Sequence, residues 1–296
     1  MNKEFESSLK SIETENIIDL YFYRPIGYQI ARALKKTKIT PNMVTIFSLF
    51  VGIGTGYLFY FNNLYYNLLG IFIFIVANLL DCVDGQLARL SGIKSEFGRI
   101  LDGAVGDIWF TLIYASLALR LTNEYGTAWF FVPALISGAS HLLQANITDY
   151  YKTLHLYFVS IEKGVEFQKQ AQVEARRKTI KNKVEKFFYT LYVGYTGIQE
   201  ELTPSLQYML YDLYICYGDD IPDNLRVEFR RQSSRLMKRY IDLLTFNGRT
   251  IVLFLIVLSG YVWIYFIYET IVLNIVLYIA IHKHERMCRQ IHKKIE

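Results

Sequence analysis

Four aspartates and one arginine lie close together in a segment bounded by very apolar stretches. It reads Asp81-Cys-Val-Asp84-Gly85-Gln-Leu-Ala88-Arg89 and continues through Gly98 to Asp102 and Asp107. An ionised carboxylate inside a bilayer costs several kcal/mol, depending on its depth, so such residues are candidates for function. The segment therefore predicts a polar site at the edge of a membrane domain.

The spacing of these residues suits a hard divalent cation. Asp81 and Asp84 are three residues apart and share one face of a helix, and Gly98 and Asp102, four apart, share a face of the next. If the two helix ends meet, three carboxylates converge into an oxygen-ligand site for Mg²⁺ or Mn²⁺. Arg89 is suited to a phosphate, which indicates a pyrophosphate substrate. Gly85 and Gly98 would let the backbone or a ligand approach closely. Taken singly, however, each of these residues could instead be an acidic helix cap or a packing glycine.

The apolar content of the chain indicates an integral membrane protein. The chain has 296 residues, of which 52% are hydrophobic, and residues 39–80 contain no charge. Because one crossing takes about 20 residues, this run must turn back, and we expect the turn at Asn62-Asn63. Thr40 and Pro41 are suited to cap and start a helix.

The apolar runs predict an all-α fold with about six transmembrane helices. An amphipathic stretch at 12–34 predicts an N-terminal helix lying on the membrane interface. A charge-rich stretch predicts a helical cytoplasmic insertion, and the last apolar stretch predicts two short spans that turn near Glu269 in a loop. The expected segments are 1–38 (N-terminal and interfacial), 39–148 (transmembrane helices 1–4), 149–247 (insertion), 248–282 (transmembrane helices 5–6) and 283–296 (tail).

Basic residues predict the orientation of the chain. They flank one set of membrane ends: Lys35, Lys36, Lys38, Lys94, Arg99, Lys152, Arg249, Lys283, Arg286 and Arg289. Arg120 is the exception among the opposite loops. We therefore expect an inner or cytoplasmic membrane location, with both termini and the aspartate segment facing the cytoplasm. Three scattered cysteines indicate neither a metal motif nor a disulfide framework, and we expect no nucleic-acid partner.

The aspartate segment resembles the signature of a known family. The pattern D-x2-D-G-x2-A-R-x8-G-x3-D-x3-D is the signature of the CDP-alcohol phosphotransferases, and this chain matches it at seven positions from Asp81 to Asp102. The resemblance implies that Asp81, Asp84 and Asp102 bind metal, as two Mg²⁺ or Mn²⁺ ions. It also implies a CDP pocket lined by Gly85, Ala88, Arg89 and Gly98. The implied enzyme is a homodimer in membrane lipid that transfers a phosphatidyl group from CDP-diacylglycerol to a polar alcohol and releases CMP.

Asp107 departs from this pattern. The last aspartate of the family, its general base and a further metal ligand, should stand at position 106, which is Gly106 here. On a regular helix Asp107 points about 100° away from that position. We expect a π-bulge to return it, so that Asp107 serves as catalytic base and contributes to the metal site.

The sequence says less about the identity of the acceptor alcohol than about the metal site. Arg249, Gln144 and Asp149 are candidate acceptor contacts, although interhelical hydrogen bonds would also explain Gln144 and Asp149. Arg249 and the basic insertion favour inositol phosphate, while glycerol phosphate, inositol and serine remain open. The alternatives are a CDP-choline or CDP-ethanolamine transferase acting on a lipid alcohol, a non-catalytic relative, and an ion-binding transporter.

Overall fold

The chain folds into helices. The structure, a computed structural model, describes residues 3–93, 95–160, 164, 166–218 and 220–295, and no strand occurs among them. Lys94, which contributed to the predicted orientation, lies outside the described residues. Six helical segments are long and apolar enough to cross a membrane: Pro41–Phe59, Leu64–Ser91, Glu96–Tyr125, Ala128–Val159, Asp223–Ser259 and Trp263–His292. The prediction of an all-α membrane protein with about six spans is confirmed.

The N-terminal segment folds against the first two membrane helices. Helix α1 covers Lys3–Ser8, and α2 covers Arg24–Leu34 directly after a π-helical turn at Asp19–Tyr23. Ala31 of α2 is fully buried in a small apolar cluster with Val83 of the following hairpin. One face of α2 therefore packs against the rest of the protein. Its position on a membrane interface stays a prediction.

Three long helices follow, and local sequence signals set their ends. Helix α3 spans Pro41–Phe59, α4 spans Leu64–Ser91 and α5 spans Glu96–Tyr125. The Thr40 side chain accepts a hydrogen bond from the Met43 backbone N–H, which confirms the predicted cap. Gly92 ends α4 with φ of 73°, a left-handed conformation that favours glycine. Helix α3 packs against both α4 and α5.

The predicted insertion is helical. Helix α6, Phe131–Val159, leads into it after a 3₁₀ turn at Ala128–Phe130. Pro204 begins a new helix within the tyrosine-rich stretch, and no described helix there is both long and apolar enough to cross a membrane. The helices of this region are α7 Gln170–Thr179, α8 Lys183–Glu201, α9 Pro204–Tyr217, α10 Asp223–Leu236, a π-helical turn Met237–Ile241 and α11 Asp242–Leu244.

The last helices correct the predicted turn at Glu269. Helix α12, Phe246–Ser259, ends before Gly260, whose φ of 82° makes the reversal. The chain continues through α13, Trp263–Ile267, a π-helical turn, Tyr268–Val272, and α14, Leu273–His292. Glu269 is therefore a fully buried helical residue and the predicted loop there is wrong.

The chain forms two compact units. The first comprises the residues up to Leu143 together with Phe246–Val272. Its core is aromatic and contains Phe74, Trp109 and Phe110.

The second unit comprises Gln144–Thr245 and Leu273–Glu296. Two aromatic stacks hold its helices together, Tyr151 on His284 at 3.9 Å and Phe158 on Phe229 at 3.8 Å between ring centroids. The Glu285 carboxylate caps α9 by accepting a 2.7 Å hydrogen bond from the Ser205 backbone N–H. Stacking and capping, rather than apolar area alone, therefore organise this unit.

The contact between α3 and α5 gives a test of the fold. A methyl group on Gly52 would lie 2.1 Å from Trp109 Nε1, so Gly52→Ala forces the buried indole to move. Overpacking of this kind costs about 1–3 kcal/mol, and we expect the melting temperature in detergent to fall by several degrees. Gly54→Ala is the matched control, because its nearest neighbour would be Ile73 at 3.9 Å. An unchanged melting temperature in Gly52→Ala would contradict this packing.

Candidate active site

Three of the predicted carboxylates converge. Asp81 and Asp84 lie one helical turn apart on α4, and Asp102 lies in the second turn of α5. One ligand oxygen from each lies within 4.8 Å of the others. Asp84 is buried and the other two are half-buried. Helix α3 packs against both α4 and α5, and the three carboxylates converge as the spacing of the residues predicts.

A threonine from a third helix orients one of these carboxylates. The Thr45 hydroxyl, on α3, donates a 2.5 Å hydrogen bond to Asp84 Oδ2. Thr45 itself is buried, so the bond is sheltered from water and holds the carboxylate in one position. Sequence reasoning missed Thr45, because nothing local links it to a residue 39 positions later.

Arg89 is held beside Gly85 by the N-terminal segment. A Cβ atom at Gly85 would lie 3.0 Å from Arg89 Nη2, so the glycine leaves the space that the guanidinium occupies. Arg89 Nε donates a 2.5 Å hydrogen bond to the backbone carbonyl of Ser8 at the end of α1. Gln86 strengthens the same contact by donating to Ser8 Oγ at 3.0 Å. The N-terminal segment therefore positions the arginine, a role that the sequence did not predict.

Further positive charge surrounds the carboxylates. Lys10, Arg24 and Arg89 all act electrostatically on Asp102. Arg24 Nε also contacts Glu15 Oε2 at 2.9 Å. Burial alone would lower the pKa of the Arg24 guanidinium, but neighbouring negative charge, including that of Glu15, raises it above its ordinary value. Arg24 is accordingly a cation beside the site.

Gly98 brings the starts of α3 and α5 into contact. A Cβ atom there would lie 2.7 Å from Asn42 Oδ1 and 2.8 Å from Ser95 Oγ. Ser95 caps α5 by accepting a 2.9 Å hydrogen bond from the Gly98 backbone N–H. A larger residue at this position would make the Asn42 and Ser95 side chains move, whether or not a ligand also approaches it. Ala88, one turn after Asp84, is partly exposed.

Asp107 lies outside the group of three carboxylates. Helix α5 is an uninterrupted α-helix from Glu96 to Tyr125, so the predicted π-bulge is wrong. Five residues along a regular helix place Asp107 about 140° around the axis from Asp102 and about 7.5 Å further on. Asp107 Oδ1 instead lies 3.5 Å from His141 Nε2, with 27% of the Asp107 side chain exposed.

His141 connects Asp107 to a buried ion pair. Arg249 Nη1 lies 2.5 Å from His141 Nδ1 and also binds the Glu269 carboxylate. Arg249 and Glu269 are both almost completely buried, with 1% and 0% of their side chains exposed. Because a guanidinium only donates hydrogen bonds, Nδ1 accepts, which leaves the imidazole proton on Nε2 facing Asp107. The sequence did not predict this connection, and the acceptor role of Arg249 stays a prediction.

The other two candidate acceptor contacts lie on α6. Gln144 is buried and its Nε2 donates a 2.9 Å hydrogen bond to Asn274 Oδ1. Asp149 is partly exposed, and its backbone carbonyl accepts a hydrogen bond from the Thr153 hydroxyl. These contacts support the interhelical alternative for Gln144, and the acceptor roles of both residues stay predictions.

Comparison with known proteins bears on the same part of the chain. Residues 38–180 match the family model described as CDP-alcohol phosphatidyltransferase. An uncharacterised protein of Aquifex aeolicus is 32% identical over 106 residues, which are 36% of this chain and 52% of that protein. Archaetidylinositol phosphate synthase of Pyrococcus horikoshii is 34% identical over 91 residues, 31% of this chain and 47% of the synthase.

The aligned stretch therefore spans about half the length of each relative. The family match over 38–180 contains Asp81, Asp84, Gly85, Arg89 and Asp102. Residues 38–180, just under half of the chain, are therefore similar to the CDP-alcohol phosphatidyltransferase family.

Proposed function

We propose that the chain transfers a phosphatidyl group from CDP-diacylglycerol, or a related CDP-activated donor, to a hydroxyl of a polar alcohol and releases CMP. The observation that carries this proposal is the convergence of Asp81, Asp84 and Asp102 near Arg89. The family match over 38–180 and the synthase among the relatives support a transferase. The setting among apolar helices suits a lipid-linked donor.

The carboxylate group suits divalent metal ions. Its ligands are all oxygen atoms within 4.8 Å of one another, the donor set that Mg²⁺ and Mn²⁺ prefer. Asp81, Asp84 and Asp102 would hold the metal, with Thr45 fixing the orientation of Asp84. When bound, two such ions would neutralise charge on the transferring phosphate and on the leaving oxygen of CMP.

The CDP portion of the donor would lie along α4. Arg89 offers a planar set of donors that fits phosphate oxygens, and its bond to the Ser8 carbonyl keeps it in place. Gly85, Ala88 and Gly98 would line the same pocket. Anchoring a long side chain before the substrate arrives lowers the entropy lost on binding.

Asp107 is the residue proposed to accept the proton. The acceptor hydroxyl oxygen attacks the phosphorus atom that carries the diacylglycerol, and a new P–O bond forms as the bond to the CMP oxygen breaks. The hydroxyl proton passes to the Asp107 carboxylate, which His141 Nε2–H orients from 3.5 Å. Asp107 would act from beside the metal ligands, since it lies outside their group.

Inositol phosphate is the acceptor that we favour. The name of the Pyrococcus horikoshii relative is in line with an inositol phosphate product, and a basic insertion suits an acceptor that carries its own phosphate. Arg249, Gln144 and Asp149 are the proposed acceptor contacts. We further propose a homodimer whose termini and active site face the cytoplasm.

Release of CMP tests the reaction directly. Purified protein in detergent with Mg²⁺ or Mn²⁺ should release CMP from CDP-diacylglycerol when inositol phosphate is present. Glycerol phosphate, inositol and serine complete the acceptor panel, and Asp102→Asn provides the inactive control. Release with a different acceptor would overturn the inositol phosphate assignment and keep the transferase.

Two other outcomes of that assay would overturn more of the proposal. Activity only with CDP-choline or CDP-ethanolamine and diacylglycerol would reverse the roles of the lipid and the polar alcohol. A protein that binds CDP but releases no CMP with any acceptor would be a non-catalytic member of the family.

The proposed base gives a second prediction. Asp107→Asn should lower kcat by at least about 100-fold, since general-base catalysis contributes about 10²–10⁴-fold. Thr111→Ala is the matched control: Thr111 lies one turn further along α5, is exposed, and carries no carboxylate. Full activity in Asp107→Asn would show that another group takes the proton.

A further inference from the structure

An open basic cavity lies in the second unit, between α10 and α14. Its volume is about 600 Å³, and its lining includes Arg231 and Arg235 from α10 with Lys283 and Arg286 from α14. None of the described residues that line it is acidic. The cavity, defined by these four cations, is therefore strongly positive and accessible.

Helical spacing explains why the charges point into one space. Arg231 and Arg235 are four residues apart on α10, and Lys283 and Arg286 are three apart on α14, so each pair shares a helix face. Glu228 accepts a 2.6 Å hydrogen bond from Arg231 at one edge. The other three cations give the cavity its excess positive charge.

The cavity spans the point where α14 changes from apolar to charged. Residues 270–281 contain no charge, and His282 and Lys283 follow at once. Tyr278 lines the apolar side of the cavity, is 71% exposed, and stacks on His282. Exposed tyrosines are enriched at the level of lipid head groups, so this composition predicts that the cavity lies at a membrane surface.

We propose that this cavity binds the phosphate of an anionic phospholipid head group. The cations match the charge and the donor needs of a phosphate diester. Tyr278, Ile279 and Met287 supply an apolar wall against which the glycerol and first acyl carbons would pack. A soluble phosphate would use the cations and leave this wall exposed to water. The inference does not depend on the proposed transferase reaction.

Lipid binding in detergent tests this assignment. Protein in a neutral detergent is titrated with dioleoyl phosphatidylglycerol or with dioleoyl phosphatidylcholine, and bound lipid is counted by native mass spectrometry. The triple variant Arg235→Gln, Lys283→Gln, Arg286→Gln should bind phosphatidylglycerol at least about tenfold more weakly and phosphatidylcholine unchanged. All three side chains are exposed, and circular dichroism checks that the variant keeps its helix content.

A matched variant separates the cavity from charge in general. Lys181→Gln, Lys183→Gln, Lys186→Gln removes the same charge from exposed positions of the same unit, and it should bind phosphatidylglycerol like the wild type. Equal losses in both triple variants, or none in the cavity variant, would overturn the proposal. A third arm adds inorganic phosphate: displacement of phosphatidylglycerol at equal concentration would overturn a lipid source in favour of a soluble phosphate.

Discussion

Mutual repulsion among three carboxylates is the constraint on which this structure depends. Two unit charges 4.8 Å apart, the limit for the ligand oxygens here, repel by about 3.5 kcal/mol at an effective dielectric constant of about 20. The fold therefore has to supply compensating charge. Lys10, Arg24 and Arg89 provide part of it, and a divalent cation is the natural complement.

The three metal-ligand candidates and the proposed base are held by different residues, although the family pattern places all four aspartates in one motif. Helix α3, which carries Thr45, packs against the helices that bring Asp81, Asp84 and Asp102 together. Asp107 belongs to a different arrangement, in which His141 links it to the buried Arg249 and Glu269. A buried charge without a partner is very costly, so Arg249 and Glu269 stay paired. Because Arg249 also contacts His141, the pair fixes the position of the imidazole. Asp107, which stands one residue later than the last aspartate of the family pattern, is thus supported by its own set of residues.

Local patterns in the sequence were enough to predict the membrane helices and the convergence of three carboxylates. The Thr40 cap, the charge-free runs and the three-residue spacing of Asp81 and Asp84 are all readable within a few residues. Contacts between distant positions were not readable. Arg89 meets Ser8 across 81 residues and Arg249 meets His141 across 108, and no periodicity encodes such pairs. Glu269 was misplaced because its charge looked like a break in an apolar run, whereas a partner 20 residues away neutralises it.

Binding of Mn²⁺, followed by electron paramagnetic resonance in detergent, tests the central claim most directly. We expect Asp102→Asn to weaken Mn²⁺ binding by at least about tenfold, since a ligand is lost. Asp107→Asn, a matched change on the same helix outside the carboxylate group, should bind within about twofold of the wild type. Wild-type affinity in Asp102→Asn would contradict the metal site, and an equal loss in both variants would contradict the separation of ligand from base.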